Sequence, residues 1–89
     1  MKENENHIEI EIVTTSGSYP SEGFEQVPIH QKVKIILKRA ADQLKLVSTD
    51  NWIAKVQGRE INQDLSFEEN NLKERITIDF GPREGGGRR

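Results

Sequence analysis

The chain has 89 residues and a mass of 10.2 kDa, enough for one small domain and too little for two. Thirteen basic and fifteen acidic side chains leave a net charge of −2, which argues against a protein built to bind a phosphate backbone. Cysteine is absent, which excludes disulfides, thiolate metal sites and a cysteine nucleophile, and no apolar run approaches the roughly 20 residues that span a bilayer.

Residues 1–6 are polar and acidic; they do not read as a secretory leader and are expected to be disordered. The expectation is therefore a soluble, cytoplasmic domain. Over residues 7–15, Ile8, Ile10 and Ile12 alternate with Glu9 and Glu11, the period of a strand with one buried face. Residues 16–23 hold glycine, proline and three serines and read as a loop. Phe24, Val27 and Ile29 then mark a second short strand, which Pro28 should confine to an edge or end, because it has no N–H to donate.

From residue 32 to residue 44 the period changes. Val33, Ile36, Leu37, Ala40 and Leu44 form one stripe of an amphipathic helix, with neither glycine nor proline inside it. Lys32, Lys34, Lys38, Arg39 and Lys45 against Asp42 give this segment a charge of +4. Its start is poorly marked, since His30 and Gln31 are weak caps. Residues 52–57 follow as a strand with Trp52, Ala54 and Val56 inward and Ile53 and Lys55 outward. Gly58 turns the chain toward a very short strand at Ile61, and residues 64–72 form a helical turn or loop anchored by Leu65, Phe67 and Leu72. Residues 74–80 alternate again, with Ile76, Ile78 and Phe80 on one face, until Gly81 and Pro82. A hairpin, a crossing helix and further strands make an α+β layer pair.

Catalytic patterns are missing. His7 and His30 lie in different elements, and no metal site is expected from them. No phosphate-binding, metalloprotease or nucleophile-elbow motif occurs. Ser16, Ser18 and Ser21 have no base nearby in sequence, and the acid pairs Glu9/Glu11 and Glu68/Glu69 read as solvated faces. The chain is not expected to be an enzyme or to bind a cofactor of its own.

The end of the chain carries the functional signal. After Phe80 it runs Gly-Pro-Arg-Glu-Gly-Gly-Gly-Arg-Arg, and three successive glycines are costly to order. Glycine leaves room for a terminal carboxylate to enter a narrow enzyme channel, because no Cβ stands beside it. Such a carboxylate needs activation, as an acyl adenylate for example, before a partner's thiolate can accept the acyl group.

From Trp52 onward the order of elements and the glycine-rich end resemble the second half of ubiquitin; the first half resembles it in topology more than in residues. The resemblance implies a β-grasp domain over residues 7–81, with a mixed four- to five-stranded sheet on one helix and a flexible tail over 82–89. It further implies a protein modifier of bacterial type, matured by cleavage between Gly87 and Arg88, with Gly86-Gly87 as the conjugated end. Arg83 and Gly85 would be read by an adenylating enzyme that uses ATP. The other partners implied are a conjugating enzyme, a JAMM-type or cysteine deubiquitinase-like peptidase, and target proteins; neither nucleic acid nor membrane is expected, and the chain should be a monomer. Ending at Gly86 is the competing register. Lys55, Gly81, Thr77 and Asp79 stand where ubiquitin's receptor-binding patch lies, so that patch is not expected here. Two other functions fit the same fold. One is a binding module using Lys34, Lys38, Arg39 and Lys45 or the edge near Phe24; the other is a sulfur carrier ending in a thiocarboxylate, against which Arg88-Arg89 counts.

Overall fold

The isoleucine–glutamate alternation becomes β1, His7–Thr14, in a computed structural model that describes residues 6–83. Ile8, Ile10 and Ile12 are each at most 1% exposed, whereas Glu9 and Glu11 face the other way. The chain continues through β2 (Gly17–Tyr19), β3 (Glu25–Pro28), α1 (Val33–Leu44), β4 (Trp52–Val56), β5 (Arg59–Ile61) and β6 (Arg75–Pro82). The strands form one mixed sheet in the order β2-β1-β6-β4-β5, with β3 also on β1. Its centre is the parallel pair β1–β6, registered from Glu9↔Arg75 to Val13↔Asp79. A parallel pair requires a crossover, and α1 belongs to that connection.

The expected four or five strands are six. The extra one is β2, inside the segment expected to be loop. A tight turn at Thr15-Ser16 folds Gly17–Tyr19 back onto Ile12–Thr14. Thr14 Oγ1 accepts from the Ser16 N–H at 3.0 Å and donates to the Gly17 carbonyl at 2.9 Å, so a side chain organises the turn. The irregular stretch is only residues 20–24, after which β3 pairs with the first half of β1. Pro28 ends β3 and pairs with His7, at the edge where a missing N–H is tolerated.

The helix packs its stripe as the spacing predicts. Val33, Ile36, Leu37 and Ala40 are buried, Ala41 joins them, and Leu44 is half-buried. Lys32, at its N-cap, makes no side-chain cap. The backbone of the 62–72 segment takes that role: the Val33 and Lys34 N–H groups donate to the Leu65 and Gln63 carbonyls, each at 3.0 Å. That segment holds one helical turn, as expected, with the Asn70 N–H on the Ser66 carbonyl at 3.1 Å and the Asn71 N–H on the Glu68 carbonyl at 2.9 Å. It is shaped by a reciprocal pair, with the Ser66 N–H on Glu69 Oε1 at 2.9 Å and the Glu69 N–H on Ser66 Oγ at 3.0 Å. The acids read as solvated are thus engaged, Glu69 in this box and Glu68 with His30 Nδ1 at 2.8 Å. Phe67, fully buried, anchors the segment beneath the helix start.

At its other end α1 stops on Lys45, in the left-handed region at φ 59°. Lys45 N–H bonds to the Asp42 carbonyl and Leu46 N–H to the Ala41 carbonyl, the paired closure of a Schellman motif. Gln57 and Gly58, both with positive φ (54° and 82°), make the two-residue turn from β4 to β5, the backbone pattern that suits a right-twisted hairpin.

Two boundaries move. Asn6 is tied in, its carbonyl accepting the Ile29 N–H at 2.9 Å, so order begins before residue 7. Pro82 belongs to β6 and pairs with Trp52, so the last strand runs one residue beyond the expected domain end. Residues 1–5 and 84–89 lie outside the described residues.

Candidate functional site

The last strand creates the site. Its inward residues Ile76, Ile78 and Phe80 are buried, which fixes the strand and points Arg75, Thr77, Asp79 and Gly81 to the open face. The Trp52 and Phe80 rings meet edge to face at 5.0 Å and 66°, closing the core under the strand's end. Register with β1 ends at Val13↔Asp79, whereas register with β4 continues through Ile53↔Gly81 to Trp52↔Pro82. The final residues of β6 are therefore held from one side.

Arg83 follows directly. Its Nη1 and Nη2 donate to Glu60 Oε1 and Oε2 at 3.4 and 3.1 Å, a fork-to-fork pair reaching over β4 to β5. Glu60 stands opposite Lys55, and Lys55 opposite Asp79, so charges of alternating sign cross the face. Beside them Val13, Ile53, Gly81 and Pro82 line a shallow depression of about 300 Å³. The open face is polar at Lys55, Thr77 and Asp79, as expected, but it has this apolar floor one register pair further along. Lower on the same face, Arg75 Nε and Nη2 both approach Glu9 Oε1 at 2.8 Å, and the guanidinium lies 4.7 Å from the Phe24 ring centroid. Thr77 donates to Glu11 Oε1 at 3.3 Å.

Of the predicted site residues, Arg83 is brought onto this surface. Gly85, Gly86, Gly87 and the Gly87–Arg88 bond lie outside the described residues. Sequence reasoning missed Glu60, for which a spacing of 23 residues from Arg83 gives no signal; only the β4–β5 hairpin register brings the two together.

The helix face is a separate surface. Lys34 pairs with Asp64 at 3.3 Å and Arg39 with Glu25 at 2.8 Å, while Lys38 and Lys45 have no ion-pair partner among the described residues. Burial, followed by the Glu25 carboxylate, pushes the Tyr19 hydroxyl up from its ordinary 10.0; the Tyr19 hydroxyl and then Glu25 push Arg39 up in turn. No three His, Asp or Glu side chains converge as metal ligands among the described residues. No helix among them is long and apolar enough to cross a membrane.

No family model and no curated protein matches this chain. Solved structures do. A de novo design based on ubiquitin superposes with a TM-score of 0.68 at 21% identity, covering 94% of this chain and 98% of the design. A protein described as a molecular mimic of SUMO that promotes DNA repair gives 0.69 at 12% identity, over 85% of this chain and 91% of that one. The solution structure of an N-terminal ubiquitin-like domain gives 0.64 at 12% identity, over 94% and 82%. The chain has the ubiquitin-like β-grasp fold.

Proposed function

We propose that this chain is a protein modifier that works by donating its own C-terminal glycine. A fold alone does not assign an activity, so the observation that carries the reading is where the strand leads. β6 runs through the centre of a β-grasp sheet and delivers Arg83 to an open, partly apolar face, and four residues later the sequence reaches Gly87. The chain is the substrate in this scheme and not an enzyme.

A peptidase of the JAMM or cysteine type hydrolyses the Gly87–Arg88 bond, adding water across it and leaving a Gly87 carboxylate. That carboxylate attacks the α-phosphate of ATP in an activating enzyme, expelling pyrophosphate. A cysteine thiolate of the partner then displaces AMP, and a target amine displaces the thiolate through a conjugating enzyme. Arg83 and Gly85 are the positions an activating enzyme would read first. Two arginines beyond Gly87 block a channel of glycine width, which is the chemical reason for the cleavage.

Replacing Gly87 with valine tests this, because deleting one of three successive glycines would leave a Gly-Gly end. The variant should melt as the parent does and form no adducts in cells that make it, whereas the parent should form them and show an intact mass ending at Gly87. A parent that keeps Arg88-Arg89 under every condition and forms no adducts would leave the binding-module reading, which Lys38 and Lys45 favour, having no ion-pair partner among the described residues.

A further inference from the structure

We propose that Glu60 is a displaceable holder of Arg83: it fixes the root of the C-terminal segment against β5 until a partner presents a carboxylate of its own on an apolar surface. The modifier reading enters only in naming that partner as an enzyme acting on the chain's C-terminal end.

β6 has lost β1 as a registered neighbour after Asp79 and is paired only with β4 at Gly81 and Pro82. Arg83 is the next residue, and its two terminal nitrogens reach both Glu60 oxygens. No other carboxylate forms an ion pair with Arg83 among the described residues. Replacing Glu60 with its neutral isostere therefore leaves the guanidinium without a charged partner among the described residues, and the residue after Pro82 loses its charged tie to β5.

Exposure makes the tie exchangeable. The Arg83 and Glu60 side chains are 62% and 47% exposed, so water and salt screen their attraction. A carboxylate that arrives on a water-excluding surface binds the same fork more strongly, because the local dielectric falls. The depression, where Val13, Ile53 and Pro82 sit among Lys55, Asp79 and two threonines, supplies the apolar half of such a contact beside the pair. Glu60 and the incoming carboxylate then compete for one guanidinium, and the partner's apparent affinity scales with the fraction of Arg83 that is unheld. An exposed pair of this kind sets that factor at about two- to fivefold.

The test uses the full chain and no enzyme. Wild type, Glu60→Gln and the charge-swapped Glu60→Arg/Arg83→Glu protein are compared by the heteronuclear NOE of residue 83 and by thermal melting. The Arg83 Nε–Hε resonance is then followed during titration with hexaglutamate as the carboxylate probe. Glu60→Gln should lower the NOE at residue 83, speed Nε–Hε exchange, leave the melting midpoint in place, and tighten hexaglutamate binding at Arg83 about two- to fivefold. The charge swap should restore the NOE. An unchanged NOE and exchange rate in Glu60→Gln, or equal hexaglutamate affinity at Arg83, overturns the proposal. If Glu60 holds Arg83 but no adducts form in cells, the modifier reading fails and the holder stands; adducts with unchanged Arg83 dynamics remove the holder alone.

Discussion

The two faces of the sheet are built from the same strands and could hardly differ more. Toward α1, Ile8, Ile10, Ile12, Ala54, Ile76, Ile78 and Phe80 are buried together in one apolar core. Toward the open side, the alternate residues of the same strands make solvent-screened pairs: Glu9 with Arg75, Glu11 with Thr77, and Glu60 with Arg83. The period of a strand separates the two jobs residue by residue. One face makes the fold stable, and the other can change partners at little cost because each contact on it is weak. Function is expected on the exchangeable face, where β6 also ends.

That contrast can be broken by mutation. The largest loss is expected from Phe67→Ala, since a fully buried ring that anchors the helix start is removed: about 3–5 kcal/mol, read as a fall in the chemical-denaturation midpoint. Leu37→Ala, 2% exposed on the helix stripe, should cost about 2–5 kcal/mol by the same measurement. Ser66→Ala removes a cap that shapes the loop under α1 and should cost about 0.5–2 kcal/mol. Arg75→Ala on the open face should change stability by about 0.2–1 kcal/mol and less at high salt. An open-face substitution that destabilised as much as Phe67→Ala would erase the distinction between the faces.

A smaller, pH-dependent effect refines it. The Ser66 backbone N–H bonded to the Glu69 carboxylate holds that carboxyl below its ordinary 4.5. A depressed folded value favours the folded state above the ordinary value, and the advantage is lost as pH falls through the folded one. The stability gap between the parent and Glu69→Gln should therefore narrow on acidification below about 4.5, followed by denaturant midpoints at each pH. A gap that widened on acidification would reverse the sign assigned to Glu69.

Legibility in the sequence followed side-chain periodicity. β1, α1, β4 and β6 could be read because apolar residues recur every second or every third to fourth position, and burial is what imposes that recurrence. β2 could not, because Gly17-Ser18-Tyr19 offers one large apolar side chain amid turn residues and is recruited by backbone pairing to β1. The capping of α1 by the Gln63 and Leu65 carbonyls was equally hidden, since a carbonyl is the same in every residue. The reciprocal Ser66–Glu69 box does have a sequence signature, Ser-x-x-Glu, which was there to be read. Arg83 was reachable through resemblance to ubiquitin, whereas Glu60 needed the hairpin register.

The most direct measurement is a search for the remnant that conjugation leaves on target lysines. Trypsin cuts after Arg83, so a chain joined through Gly87 leaves Glu-Gly-Gly-Gly on the acceptor, a peptide that also fixes the mature end. Donation of the C-terminal glycine predicts this remnant in digests of cells making the parent protein and its loss in the Gly87→Val variant. Its absence from the parent digest, with the endogenous chain intact through Arg89, would contradict donation outright.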